Sequence, residues 1–290
     1  MAEWEGKSVG PETGYKIFIY LIRKIGINVA YFLLVFVSFY YFVFNQKQTQ
    51  IIYRYFRKKH NYSILKGLIS TYRNNFIFGQ TLIDKVAIAA GLENKFTYEF
   101  DGVENIHQLA KDESAGIMIS AHVGNFELAQ HFMHGFDKKI HLVTTDDERE
   151  AIKSLLDSVM AKPKVGFIIV KDDMSHIFDI HKTIEDKQII CFTGDRFFPG
   201  TKTMESVFIN EKAKFPAGPF LLSSRLNTPV LFVYVMRERN RHYHLYARKA
   251  EFKNRDAQSL LESYTQSIEK ILKKYPLQWF NYYDFWKKDS

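Results

Sequence analysis

The residues in this chain best suited to chemistry are His122 and Glu127, within the run Ser120-Ala121-His122-Val123-Gly124-Asn125-Phe126-Glu127. An imidazole followed five residues later by a carboxylate has the makings of a general base and the acid that orients it. The apolar run at 115–120 is short, uncharged and bounded by turn-type residues, which predicts a buried strand. Gly124 and Asn125 then predict a turn and a helix start. A strand that ends this way leaves its histidine at the sheet's edge, and a glutamate one helical turn on can reach back to the ring. A His-x4-Glu spacing also arises by chance, and a strand-end histidine is often simply hydrogen-bonded.

A second cluster follows another apolar run, Ile190-Cys191-Phe192-Thr193-Gly194-Asp195-Arg196. Ligand sites in open α/β sheets lie at the carboxyl ends of strands, so this turn and the His122 turn can share an edge. Arg196 suits a phosphate or an oxyanion, or pairs structurally with Asp195. A third cluster, Phe215-Pro216-Ala217-Gly218-Pro219-Phe220, opens a helix whose free N–H groups favour anions, although Pro219 contributes none. Asn125, Asp195, Arg196 and Gly218 are therefore the candidates for substrate or oxyanion binding. Cys191, the one cysteine, sits inside an apolar run and reads as core; no disulfide or cysteine-based zinc site can form within the chain. His131, His134 and His141 have no convincing third ligand, so no metal is expected.

The elements that must position these residues fall into two regions. Residues 27–44 carry no charge; as a helix they would span about 27 Å, close to the ~30 Å hydrocarbon thickness. Arg23 and Lys24 precede this stretch and Lys47, Arg54, Arg57, Lys58 and Lys59 follow it, the heavier downstream side favouring a cytoplasmic body. A tilted or one-leaflet insertion and a buried core helix are the alternatives. Two helices are expected at 51–72 and 76–90. From about residue 96 short apolar runs at 98–100, 115–121, 140–144, 166–170, 188–192, 229–236 and 242–248 alternate with helical patterns at 127–133, 147–160, 174–185, 219–226 and 256–275. That alternation predicts an α/β fold with a largely parallel or mixed central sheet flanked by helices. The composition shift divides the chain into 1–95, an anchor with helices, and 96–290, the α/β body.

Composition narrows the partners. At 46% hydrophobic residues the chain can build a large core, and 16% aromatics suit a protein that meets lipid. The net charge of +8 suits nucleic acid, an anionic membrane or an acidic carrier. No helix-turn-helix, zinc-finger or RNA-recognition pattern accompanies it, which argues against nucleic acid.

Taken in order, the His122–Glu127 spacing, Gly194-Asp195-Arg196 and the turn at 215–220 before Thr228-Pro229-Val230 resemble the glycerolipid acyltransferase superfamily. The resemblance is nearest to the bacterial lipid A biosynthesis (lauroyl/myristoyl) acyltransferases. The N-terminal hydrophobic stretch fits that branch, as do the endings Pro276-Leu277-Gln278-Trp279-Phe280 and Phe285-Trp286. The resemblance implies an enzyme of the bacterial inner membrane, with its catalytic domain on the cytoplasmic side. It would transfer a fatty acyl group from an acyl carrier protein thioester to a hydroxyl of a lipid acceptor, without a cofactor. By position His122 is the general base, Glu127 its orienting carboxylate, and Arg196 the arginine near the oxyanion or donor phosphate. No Gly-x-Ser-x-Gly elbow is present, in keeping with direct attack by the acceptor. The Pro-Glu-Gly block of glycerol-phosphate acyltransferases is here Pro216-Ala217-Gly218, which points away from glycerol 3-phosphate. An amino-acid lipid or a polyene pigment remains open as acceptor, as do a lipid-binding adaptor without activity and a hydrolase that activates water. Phe126, Phe132, Met133, Phe197 and Phe198 are candidates to line an acyl groove.

Overall fold

The computed structural model describes residues 20, 22, 24–111, 114–125, 128, 138–145, 165–171, 173–197 and 200–286. The uncharged stretch forms helix α1 (Ile27–Phe44), followed by α2 (Gln46–Lys59) and α3 (Ile64–Ala89). The two helices expected at 51–72 and 76–90 are divided elsewhere. The break falls at residues 60–63, where Asn61 takes a positive φ of 52° and the Ser63 hydroxyl accepts from the Lys66 N–H to cap α3. No proline or glycine pair interrupts 73–75, so α3 runs on for 26 residues.

The body alternates strands and helices: β1 (Thr97–Asp101), α4 (Val103–Lys111), β2 (Gly116–Ser120), β3 (Ile140–Thr144), β4 (Val165–Ile169), α5 (His176–Glu185), β5 (Ile189–Thr193), β6 (Thr203–Phe208), β7 (Glu211–Pro216), α6 (Ala217–Arg225), β8 (Val230–Arg237), β9 (His242–Lys249) and α7 (Ala257–Lys274). Seven strands form one sheet in the order β1-β9-β8-β2-β5-β3-β4. Every neighbouring pair is parallel except β8 with β9. Each apolar run of the body thus became a strand of an α/β sheet. The helical patterns at 127–133 and 147–160 lie outside the described residues. Helix α6 starts at Ala217 rather than at 219, and α4 and the antiparallel hairpin β6–β7 were not anticipated.

The central strands β2, β5 and β8 are buried on both faces because they carry apolar residues at nearly every position. Ile117, Ile119, Ile190, Phe192 and Phe232 face a core that includes Leu260, Leu261, Tyr264 and Ile268 of α7 and Tyr55 and Phe56 of α2. The alternate positions, Met118, Ile189, Leu231, Val233 and Val235, face Ala30 and Leu34 of α1 and Ile83, Val86 and Ala87 of α3. The opposite face of α1 presents Phe32, Val35, Phe36, Phe39, Tyr40, Val43 and Phe44 to the outside. By length and composition α1 could cross a membrane.

Candidate active site

Strands β2 and β5 lie side by side in parallel register, with Ser120 opposite Thr193. Both end there. Two residues further along each strand stand His122 and Asp195, so the two turns share the carboxyl edge of the sheet. The Asp195 carboxylate clasps His122 at two points. Its Oδ1 lies 2.8 Å from the ring Nδ1, and its Oδ2 accepts the His122 backbone N–H at 3.0 Å. An ionised carboxylate only accepts, so Nδ1 carries the proton, and in the neutral ring the basic lone pair is on Nε2.

Asp195 is 1% exposed and His122 12%. Burial alone would push the Asp195 carboxyl up. The charge and hydrogen bonds of His122, with Arg196 close by, outweigh it and hold the carboxyl below the usual range. The Trp279 indole N–H adds a third hydrogen bond to the carboxylate, reaching Oδ2 at 3.3 Å. The Tyr283 hydroxyl donates to the Asp195 carbonyl at 2.9 Å, and burial pushes that phenol up, so it keeps its proton.

The C-terminal segment holds the histidine loop like an added strand. Val123 and Trp279 form an antiparallel bridge. Gly124 N–H donates to the Gln278 carbonyl and Phe280 N–H to the His122 carbonyl, each at 2.9 Å. Gly124 has φ +55°, and a Cβ there would fall 2.1 Å from the Val235 carbonyl oxygen. Asn125, buried, donates its backbone N–H to Val235 at 2.7 Å and its amide to the Thr81 carbonyl at 3.0 Å and the Tyr243 hydroxyl at 3.3 Å.

Tyr243 in turn donates to Asp84 at 2.6 Å, and Asp84 pairs with Arg237 at 2.8 Å. Tyr31 of α1 also donates to Asp84. Burial lowers the Arg237 guanidinium, but Asp84 more than offsets this and keeps it charged. The histidine loop is thereby tied through Asn125 to α1 and α3.

The candidate residues are thus only partly gathered. Glu127 lies outside the described residues, as do Phe126, Phe132, Met133, Phe198, His131 and His134. His122, Asp195 and Arg196 come together, and the Arg196 Nη2 donates to the Phe280 carbonyl at 2.7 Å. Gly218 sits exposed in the first turn of α6, and among the described residues no hydrogen bond joins it to the His122 cluster. Cys191 is in β5, and burial pushes its thiol up to about 12, which leaves it a poor nucleophile. Among the described residues no group of three or more His, Cys, Asp or Glu could hold a metal ion. Among the described residues the carboxylate that holds His122 is Asp195, which the sequence suggests for substrate binding. Trp279 and Tyr283 were missed as supports; the only signal for them was the aromatic C-terminal run.

An α/β sheet with a histidine and a carboxylate at its carboxyl edge, joined to a helix with an exposed apolar face, suits an enzyme that modifies lipids. Residues 15–288 match the sequence profile of the bacterial lipid A biosynthesis acyltransferases, and the chain belongs to that family. It is accordingly an acyltransferase of lipid biosynthesis. In sequence, no curated protein matches it. Among solved structures it is similar to the 1-acyl-sn-glycerophosphate (LPA) acyltransferase PlsC from Thermotoga maritima, at 12% identity and a TM-score of 0.35, over 89% of this chain and 94% of that one.

Proposed function

We propose that the protein is a membrane-bound O-acyltransferase that moves a fatty acyl group from an acyl carrier protein thioester to a hydroxyl of a lipid A precursor-like acceptor. The observation that supports this reading is the two-point clasp of His122 by Asp195 at the sheet's carboxyl edge. His122 Nε2 takes the proton of the acceptor hydroxyl as its oxygen attacks the thioester carbonyl. The tetrahedral intermediate collapses, the carbon–sulfur bond breaks, and the leaving thiolate takes the proton back from the imidazolium. Asp195 fixes the tautomer and stabilises the imidazolium. Glu127, five residues beyond His122, is the carboxylate of the His/Glu dyad, acting beside Asp195, and Arg196 adds positive charge where the oxyanion or donor phosphate lies. The exposed apolar face of helix α1 supports a body held at the inner membrane, on the cytoplasmic side, where an acidic carrier meets a basic protein.

The test is transfer by the purified full chain from labelled acyl carrier protein thioesters to lipid extract. Label is expected in lipid, and His122→Ala is expected to lower the rate by ~10²–10⁴. Label found only in free fatty acid would make the enzyme a hydrolase. Unchanged transfer by the variant would remove His122 from the mechanism.

A further inference from the structure

A cavity of about 180 Å³ opens between α2 and the C-terminal aromatic segment. A single water needs only ~10–15 Å³ by such a measure, so this space admits a small ligand. We propose that it is a second ligand site, for the phosphate ester of a lipid headgroup.

The charges at its wall are unbalanced. Arg54 and Lys58 both line it, one turn apart on α2. Like charges at that spacing destabilise a helix slightly unless a counter-charge meets them. Neither has an ion-pair partner among the described residues. Lys59, also on the wall, is already used: it pairs with Glu211 at 2.6 Å and lies over the Trp286 ring at 3.9 Å. That leaves two cations facing one carboxylate, Asp284. A phosphodiester with its single negative charge neutralises the surplus.

Its position gives the source. Helix α2 starts two residues after α1 ends, and Arg54 lies eight residues into it, about 12 Å along its axis. The exposed Tyr40 near the end of α1 is the kind of residue found at headgroup level. The inference rests on the membrane association proposed above, not on acyl transfer. Trp279 lines the cavity and also bonds Asp195, so an occupant would sit directly behind the His122 pair.

The experiment titrates dioctanoyl phosphatidylglycerol into the full chain in detergent micelles, in a Trp4→Phe background so that emission reports Trp279 and Trp286. A saturable change is expected. The double variant Arg54→Gln/Lys58→Gln should weaken half-saturation roughly 30-fold, since each cation near anionic lipid contributes about a factor of five. The control pair Lys253→Gln/Lys273→Gln, exposed elsewhere, should bind as the parent does. His122→Ala should also bind normally, which separates this site from the reaction. Equal losses in both lysine-containing pairs, or no loss in either, would overturn the site. Saturation by inorganic phosphate at the same concentrations would overturn the lipid as its source.

Discussion

At the scale of single residues, what matters is which acid holds His122. Asp195 is 73 residues away in sequence and touches the ring because β2 and β5 are paired in register. His122 and Asp195 were each legible as residues just past an apolar strand. Their meeting was not, because nothing in a sequence says which two parallel strands are neighbours. Glu127, the partner expected from its nearness in sequence, lies outside the described residues. Amidating the acid should break the tautomer control: Asp195→Asn is expected to lower transfer by about 10²–10⁴ with little change in KM. Loss only through a raised KM would make Asp195 a binding residue instead.

The same carboxylate also predicts a pH effect. Its folded pKa is depressed, so its contribution to stability is complete above the unfolded value near 4 and is lost as pH falls through the folded value. The Tm gap between wild type and Asp195→Asn should be widest at neutral pH and close on acidification. A gap constant from pH 7 to pH 3 would show that the charge is not what stabilises the pair.

At the scale of elements, the start of the histidine loop packs against β8 because a glycine turn lets its backbone approach Val235. Gly124→Ala would place a methyl group against the Val235 carbonyl and force a positive φ on alanine. A destabilisation of about 1–3 kcal/mol is expected, with activity falling further than stability as His122 is displaced. An alanine variant with native Tm and rate would mean that the loop tolerates a different path.

The central strands β2, β5 and β8 were legible because they are buried on both faces and read as unbroken apolar runs. The hairpin β6–β7 was not. It buries Ser206 and exposes Val207, so the expected alternation is reversed at that pair, and its turn puts Ile209 at φ 48° beside Asn210 at 63°. Isoleucine is a poor turn residue. It is held there by the Glu269 carboxylate, which accepts its N–H at 2.5 Å, a partner 60 residues away.

At the scale of the molecule, α1 is a shared wall. One face packs on α3 and the sheet; the other exposes a stripe of aromatic rings. The end points of α1 were legible because an uncharged run between basic flanks has only one helical reading of that length. Its docking was not, since Tyr31 meets Asp84 only through the tertiary fold. Phe36→Asp/Phe39→Asp should release the protein from vesicles, because a carboxylate costs ~2.5–3.5 kcal/mol at hydrocarbon depth. Full retention on vesicles would place the bilayer contact elsewhere.

The most direct test of the central claim is a double-mutant cycle on acyl transfer to lipid, with His122→Ala, Asp195→Asn and both together. If the aspartate acts through the imidazole, the double variant should be no slower than His122→Ala alone. Losses that simply multiply, or substantial transfer surviving in the histidine variant, would contradict it.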